Sequence, residues 1–342
     1  MANATIKDVA REAGVSIATV SRVLNKSASV KPELVSKVND AIEQLGYYPN
    51  SIARTLKSDS SKTVGFVVSD ISNDFFTVMV RSVEDVLNRR GYNLFVCSTD
   101  SSQDREREYL CLLREKQVDG IIINISGKNN DFITQISRQL PVALFGRKVP
   151  DPAFQGDYVD NDNFTGLREL TAHLLALGHR RIGLLNGESY VSSAMERLDG
   201  FRSAMRTAGI TVDEAYPYLY HGNFNRLSSG AEGARFLWER GATAIITANN
   251  LLALGVLRFC RSAQLAVPEA LSLCSFGAIC NHDLLYVQPT CVEQFPAAMG
   301  ARLAELIIER IEAKNAIGSR EIRFSTKLIP GNGTCPPGEV RQ

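Results

Sequence analysis

Apolar residues recur at helical spacing from the start of the chain, with Ile6, Val9, Ala10 and Ala13 on one face. Gly14 follows, where a helix C-terminus takes a residue of positive φ. Val15 can plug the turn, and Ser16 is a good cap for a second helix. That helix, from about Ile17 to Leu24, buries Val20, Val23 and Leu24. Its other face carries Ile17, Ala18, Ser21, Arg22 and Asn25, short side chains and one arginine that can enter a major groove without collision. A third helix runs from Pro32 to Leu45, striped by Val35, Val38, Ile42 and Leu45 and stopped by Gly46. Asn50 can cap a short helix through Lys57 that needs a partner or DNA to hold it, and the polar run 58–62 reads as a linker.

From Thr63 the texture changes. Continuous apolar strands are predicted at Val64–Val68, Tyr92–Cys97, Gly120–Ile123, Val142–Phe145, Ile182–Leu185, Ala244–Thr247 and Leu271–Phe276. Amphipathic helices separate them, near 75–90, up to 116, 164–177, 194–208, 226–240 and 250–264, with a last long one near 296–313. Strands without polar alternation imply parallel sheets covered on both faces. The segment is too long for one doubly wound unit, so two lobes with a cleft between them are expected.

Composition changes this picture little. Hydrophobic content is 44%, charged content 22% and net charge +1, so the surface as a whole is no electrostatic glue for nucleic acid or membrane. Between Ala13 and Pro32, however, the charged residues are Arg22, Lys26 and Lys31 with no acid, a bias that suits a phosphate backbone. The seven cysteines form no Cys-x-x-Cys pair and read as reduced thiols, with no metal or other cofactor implied. No apolar run approaches membrane-spanning length, and the N-terminus has no signal-peptide core, so a soluble cytoplasmic protein without a membrane partner is expected.

Enzyme signatures are missing: there is no Gly-x-Gly-x-x-Gly after a strand, no P-loop and no Gly-x-Ser-x-Gly. The histidines are dispersed, and His179 follows Leu177-Gly178 at a helix end, where a capping role is commoner than catalysis. Asp160 and Asp162 follow a strand end and suit either a carboxylate pair or a ligand hydroxyl. Other polar and aromatic clusters share that placement, where α/β sheets bind ligands: Asp70 with Asn73, Phe75 and Phe76; Met195-Glu196-Arg197; Asn223-Phe224; Asn249-Asn250. Aromatic faces with Arg, Asn and Asp heads suit a small polar molecule better than catalysis.

With these residues in view, the chain resembles the lactose-repressor (LacI/GalR) family of transcription regulators. The resemblance rests on Thr5 to Asn25, Leu45-Gly46-Tyr47 with Pro49-Asn50, and Thr63-Val64-Gly65 through Asn73 with Phe75-Phe76. Val118-Asp119-Gly120-Ile121-Ile122, Leu177 to Ile182 and Arg197-Leu198-Asp199-Gly200-Phe201 extend it over almost the whole chain. It implies an all-α three-helix headpiece (1–49), a hinge helix and linker (50–61), and a two-lobed, periplasmic-binding-protein-like α/β domain with parallel sheets (62–342). A homodimer would bind a pseudo-palindromic operator in double-stranded DNA and act as a repressor. Ile17, Ala18 and Arg22 would face base edges while Thr5, Ser16, Thr19, Ser21 and Asn25 position the headpiece on phosphates. With Asn50 opening the hinge, Leu56 would be the minor-groove wedge and Lys57 its neighbour. Asn73, Phe75, Phe76, Asp160, Arg197, Phe224 and Asn249 would hold a sugar or sugar-like effector. Control by a partner protein is the alternative.

The chain departs from the family pattern at two points. Members usually read Gly-Phe-Asp-Asp where this chain has Ser275-Phe276-Gly277-Ala278, and Asn250 replaces a usual Asp. Gly277 cannot hold a sugar hydroxyl, so either the effector is not an ordinary sugar, or it is held mainly from the other lobe, or effector control has weakened. The first is favoured, an altered small polar ligand with Arg197 gripping its hydroxyl or carboxylate.

Overall fold

Thr5 opens the first helix, α1 (Ile6–Glu12), through a capping box: its hydroxyl accepts the Asp8 amide while the Asp8 carboxylate accepts the Thr5 amide. Gly14, at φ +64°, reverses the chain, and Val15 N–H donates to Ala10 O at 3.0 Å to close the helix end. Ser16 Oγ then accepts the Thr19 amide at 3.1 Å and starts α2 (Ile17–Leu24). Pro32 begins α3 (Pro32–Leu45), and Gly46 ends it at φ +56°. Val9, Val20 and Val38, one from each helix, are fully buried against one another. At roughly 1.5–3 kcal/mol per buried aliphatic side chain, these three supply much of what holds so small a unit. The computed structural model describes residues 4–24, 30–47 and 60–338. Contact density divides the chain into two compact units, 1–61 and 62–342.

The second unit alternates strands and helices. In chain order these are β1 (Thr63–Val68), α4 (Asp74–Arg89), β2 (Asn93–Ser98), α5 (Gln103–Glu115), β3 (Gly120–Ile123), α6 (Asn130–Ser137), β4 (Val142–Phe145) and β5 (Asp157–Asn161). There follow α7 (Asn163–Ala176), β6 (Ile182–Asn186), α8 (Ser192–Thr207), β7 (Leu219–His221), α9 (Leu227–Glu239), β8 (Ala244–Thr247), α10 (Asn250–Ser262), β9 (Ser272–Phe276), β10 (Thr290–Glu293), α11 (Pro296–Glu312), β11 (Glu321–Phe324) and β12 (Lys327–Ile329).

The strands form two six-stranded sheets, ordered β11-β5-β4-β3-β1-β2 and β12-β10-β9-β8-β6-β7. Every pairing is parallel except that of β10 with β12. Each sheet is the core of one lobe, and the chain passes between lobes after β5, after β10 and after β11. Alternate residues of one strand enter opposite cores. Phe66 and Val68 meet α4 and α11, while Val67 meets α5 and α6. In both sheets the strand order reverses at the lobe's first strand, β1 and β6, whose neighbours continue in opposite directions. Crevices for ligands open beyond the carboxyl ends of strands at such a point.

Several elements were not anticipated from the pattern. Strands β5, β7, β10, β11 and β12 and helix α6 are short or mixed in polarity. β5 reads Asp-Tyr-Val-Asp-Asn yet every residue in it is buried. Asp157 is tolerated there because Arg310 and Arg320 hold both its oxygens at 2.8–3.2 Å. Among the described residues no helix is long and apolar enough to cross a membrane, and all seven cysteines are unbridged.

Candidate functional site

In the headpiece, the packing of Val20, Val23 and Leu24 onto α1 and α3 decides what α2 shows outside. Ile17 is 46% exposed, Ala18 and Arg22 are exposed, and Thr19 and Ser21 are half-buried. Exposing an isoleucine that the small core does not use leaves an apolar surface suited to a thymine methyl or a base edge. Thr5 and Ser16 sit at the two helix N-termini, where capping already occupies their oxygens. Asn25, Asn50, Leu56 and Lys57 lie outside the described residues.

The second unit brings all seven predicted ligand contacts together. Asn73, Phe75, Phe76, Asp160, Arg197, Phe224 and Asn249 line one cavity of about 80 Å³ between the lobes. That is room for several waters or a small polar molecule rather than solid core. Ser69, Asn124, Gly146, Arg147, Ser193, Asn225, Asn250 and Gln294 complete the wall. Ser69, Asn124, Arg147, Asn225, Asn249, Asn250 and Gln294 lie shortly beyond the ends of β1, β3, β4, β7, β8 and β10. Asp160 lies within β5, and Asn73, Ser193 and Arg197 come from the start of α4 and from α8, the helices after β1 and β6.

The individual roles are uneven. Asn73 caps α4, its Oδ1 accepting the Phe75 amide at 3.0 Å. Phe75 meets Phe76 edge-on at 5.4 Å, and Phe76 is mostly core, set against Phe145. Asn249 caps α10 through Leu252 N–H and donates Nδ2 to Phe224 O at 2.8 Å, so it fixes the loop that carries the Phe224 ring. That ring fills the space over Gly187, where a Cβ would lie 1.8 Å from it.

Arg197 is 8% exposed; its Nε donates to Asn163 Oδ1 at 2.9 Å and its Nη1 to Ala248 O at 2.6 Å. The guanidinium lies over the Phe276 ring at 4.1 Å. Burial pulls its pKa down to about 10, with Asp160 and Glu196 opposing, so it stays charged at neutral pH.

Two expectations about the acids need correction. Asp160 stands inside β5 rather than after a strand, and its carboxylate accepts Tyr158 Oη–H at 2.8 Å, Asn163 Nδ2–H at 2.7 Å and the Asn161 amide at 2.8 Å. Asp162 caps α7 through Thr165 N–H and makes no carboxylate pair with it. His179 is buried below the second sheet, bonded to Thr243 Oγ1 and Cys335 O at 2.8 Å each, and burial lowers its pKa. It is structural. Gly277 adopts φ +96°, and a Cβ there would lie 2.5 Å from Gln294 Oε1. Gln294 thus fills the place where the family's acidic residue is expected.

Arg147 and Gln294 were missed, although the strand-end rule points to both. Arg147 is two residues past β4, only 8% exposed, and donates Nη1 to Ile125 O at 2.9 Å.

A helix-turn-helix headpiece followed by a two-lobed, ligand-sized cleft defines a DNA-binding regulator. Residues 5–50 match the model of bacterial regulatory proteins of the lacI family, and residues 61–330 that of periplasmic binding proteins and the sugar-binding domain of the LacI family. The chain belongs to the LacI family of transcriptional repressors. It is 34% identical to the HTH-type transcriptional repressor PurR of Photobacterium profundum, over 91% of this chain and 93% of that protein. It is 35% identical to the HTH-type transcriptional regulator RegA of Clostridium saccharobutylicum, with the same coverage. A transcriptional regulator CelR–cellobiose complex superposes with TM-score 0.72 at 29% identity, covering 96% of this chain and 99% of that one. The lac repressor dimer bound to operator and an anti-inducer shares the fold at TM-score 0.81 and 23% identity, covering 98% and 100%.

Proposed function

We propose that this chain works in the cytoplasm as a homodimeric repressor of a pseudo-palindromic operator, controlled by a small polar ligand in the interlobe cleft. The observation that carries the reading is the convergence of seven expected contacts from both lobes on one cavity at the switch points of both sheets. Related cleft proteins are described with cellobiose and with ribose bound, which supports a polyhydroxylated ligand here. Ile17, Ala18 and Arg22 read base edges, and Thr5, Ser16, Thr19, Ser21 and Asn25 meet phosphates. Asn50 begins the hinge, Leu56 wedges the minor groove and Lys57 supports it. Closure of the lobes around the ligand shifts the hinge helices and so changes operator affinity.

A mobility-shift assay of the full chain on promoter fragments of its own and adjacent genes, repeated with a panel of sugars and sugar derivatives, tests this. Retention of a palindromic site and its displacement or strengthening by one compound are expected. Binding that no compound alters would overturn ligand control.

A further inference from the structure

The charged residues lining the cleft are Arg147 from one lobe, Arg197 from the other, and Asp160. Asp160 is answered from behind the cavity: its oxygens take Tyr158, Asn163 and the Asn161 amide, and Arg323 Nη1 stands 3.6 Å away. The arginines are answered only at a distance, Arg197 by Asp160 and Glu196 and Arg147 by Glu188 and Glu106, with no ion pair to either. Arg197 spends Nε and Nη1 on the neutral oxygens of Asn163 and Ala248, and Arg147 spends Nη1 on the Ile125 carbonyl. Neither forms an ion pair among the described residues. Glu106, the buried acid behind Arg147, gives its carboxylate to Ser126 and Asn129 instead, and Glu188 acts on Arg147 without pairing.

Three further observations point the same way. Asn250 on the cavity wall is a neutral amide, and Gln294, also on the wall, fills the space beside Gly277 with another. Ser69 Oγ, 1% exposed and on the cavity wall, has no hydrogen-bond partner, so a donor stands ready. Burial depresses the pKa of both arginines, and the charge of Arg147 further depresses that of Arg197, as expected of two cations sharing one site. A buried charge held by neutral acceptors and by acids that do not pair with it keeps part of its desolvation cost, and an incoming anion offsets that cost.

We propose that the cleft ligand is a small polyhydroxylated anion whose carboxylate or phosphate oxygens are gripped between Arg147 and Arg197. Phe75 and Phe224 then cover its carbon skeleton, and Ser69 donates to an oxygen. This rests on the reading of the cleft as the ligand site and assigns the charge of what enters it.

Titration calorimetry of the full chain tests it with two neutral sugars, D-glucose and D-ribose, against D-gluconate, D-glucuronate, D-glucose 6-phosphate and D-ribose 5-phosphate. At least one anion is expected to bind on the order of ten- to a hundred-fold more tightly than its neutral parent. The carboxylate and phosphate arms separate the two head groups. Arg147→Gln should abolish the preference and Arg147→Lys retain part of it, and if the glutamine variant fails to fold, the lysine variant and the wild-type comparison decide. Neutral sugars binding as well as the anions would overturn the anionic assignment while leaving the cleft a ligand site. If none of the six binds, the assignment falls, and the operator assay alone judges ligand control.

Discussion

Asn73 and Asn250 exchange two hydrogen bonds across the cleft, each Nδ2 donating to the other's Oδ1, at 3.2 and 3.1 Å. One caps α4 in the first lobe and the other opens α10 in the second, so the pair is a direct clasp between lobes. Lys148 N–H donating to Ser192 Oγ at 2.9 Å, and Arg323 gripping Glu196 at 2.7–2.8 Å, act alongside it. Asn250→Asp keeps the size but removes a donor and sets a carboxylate oxygen against Asn73 Oδ1. Loss of about 1 kcal/mol of closing energy corresponds to roughly five-fold in the open–closed equilibrium. Small-angle scattering should show a larger radius of gyration for the variant, and an unchanged profile would show that the clasp does not hold the lobes.

Arg22 is the exposed cation at the end of α2, beside apolar Ile17 and Ala18. Alanine in its place should cost roughly 1–3 kcal/mol on the specific operator and little on random DNA. Fluorescence anisotropy with both DNAs checks this. Equal losses on the two would mean that Arg22 contacts phosphate rather than a base.

The headpiece was readable because its signals are local. Gly14 and Gly46 both take the positive φ that their places at helix ends demand, and Ser16 caps as its position suggested. The cleft was readable to the extent that one rule, polar residues beyond strand ends, applies to both sheets. The rule points to Arg147 too, but Gly146-Arg147-Lys148 looks like any charged turn until the fold buries it. It failed at the clasp because Asn73 and Asn250 lie 177 residues apart, beyond any periodic pattern. β5 escaped because its acids are made tolerable by arginines more than 150 positions away.

The Phe224 ring occupies the space that Gly187 leaves, so the glycine's missing side chain is part of the site. Gly187→Ala would place a Cβ 1.8 Å from that ring, and the ring must shift toward the cavity. Overpacking of this kind costs typically about 1–3 kcal/mol. The variant should fold with a lowered melting temperature and bind ligand more weakly, about ten-fold if ~1.4 kcal/mol of the strain falls on the bound state, with DNA binding intact. Calorimetry with normal affinity would show that Phe224 is not part of the binding wall.

Asp157 and Arg310, both fully buried, tie β5 to the end of α11, and Arg310 also donates to Ile317 O and Gly318 O in the turn that leads to β11. Burial alone would raise the Asp157 pKa, but hydrogen bonds from Arg320 and Arg310 outweigh it and hold the carboxyl below its ordinary 3.8. A carboxyl depressed in the folded state contributes stability that is complete above the unfolded value and lost as pH falls through the folded one. Asp157→Asn leaves Arg310 buried without its counter-charge, so at pH 7 it should cost about 3–5 kcal/mol. Urea unfolding across a pH series should show a constant gap between the wild type and the variant above about pH 5, narrowing as pH falls below the ordinary carboxylate value. A gap that stays constant into acid would mean that the ionised carboxylate is not what holds this junction.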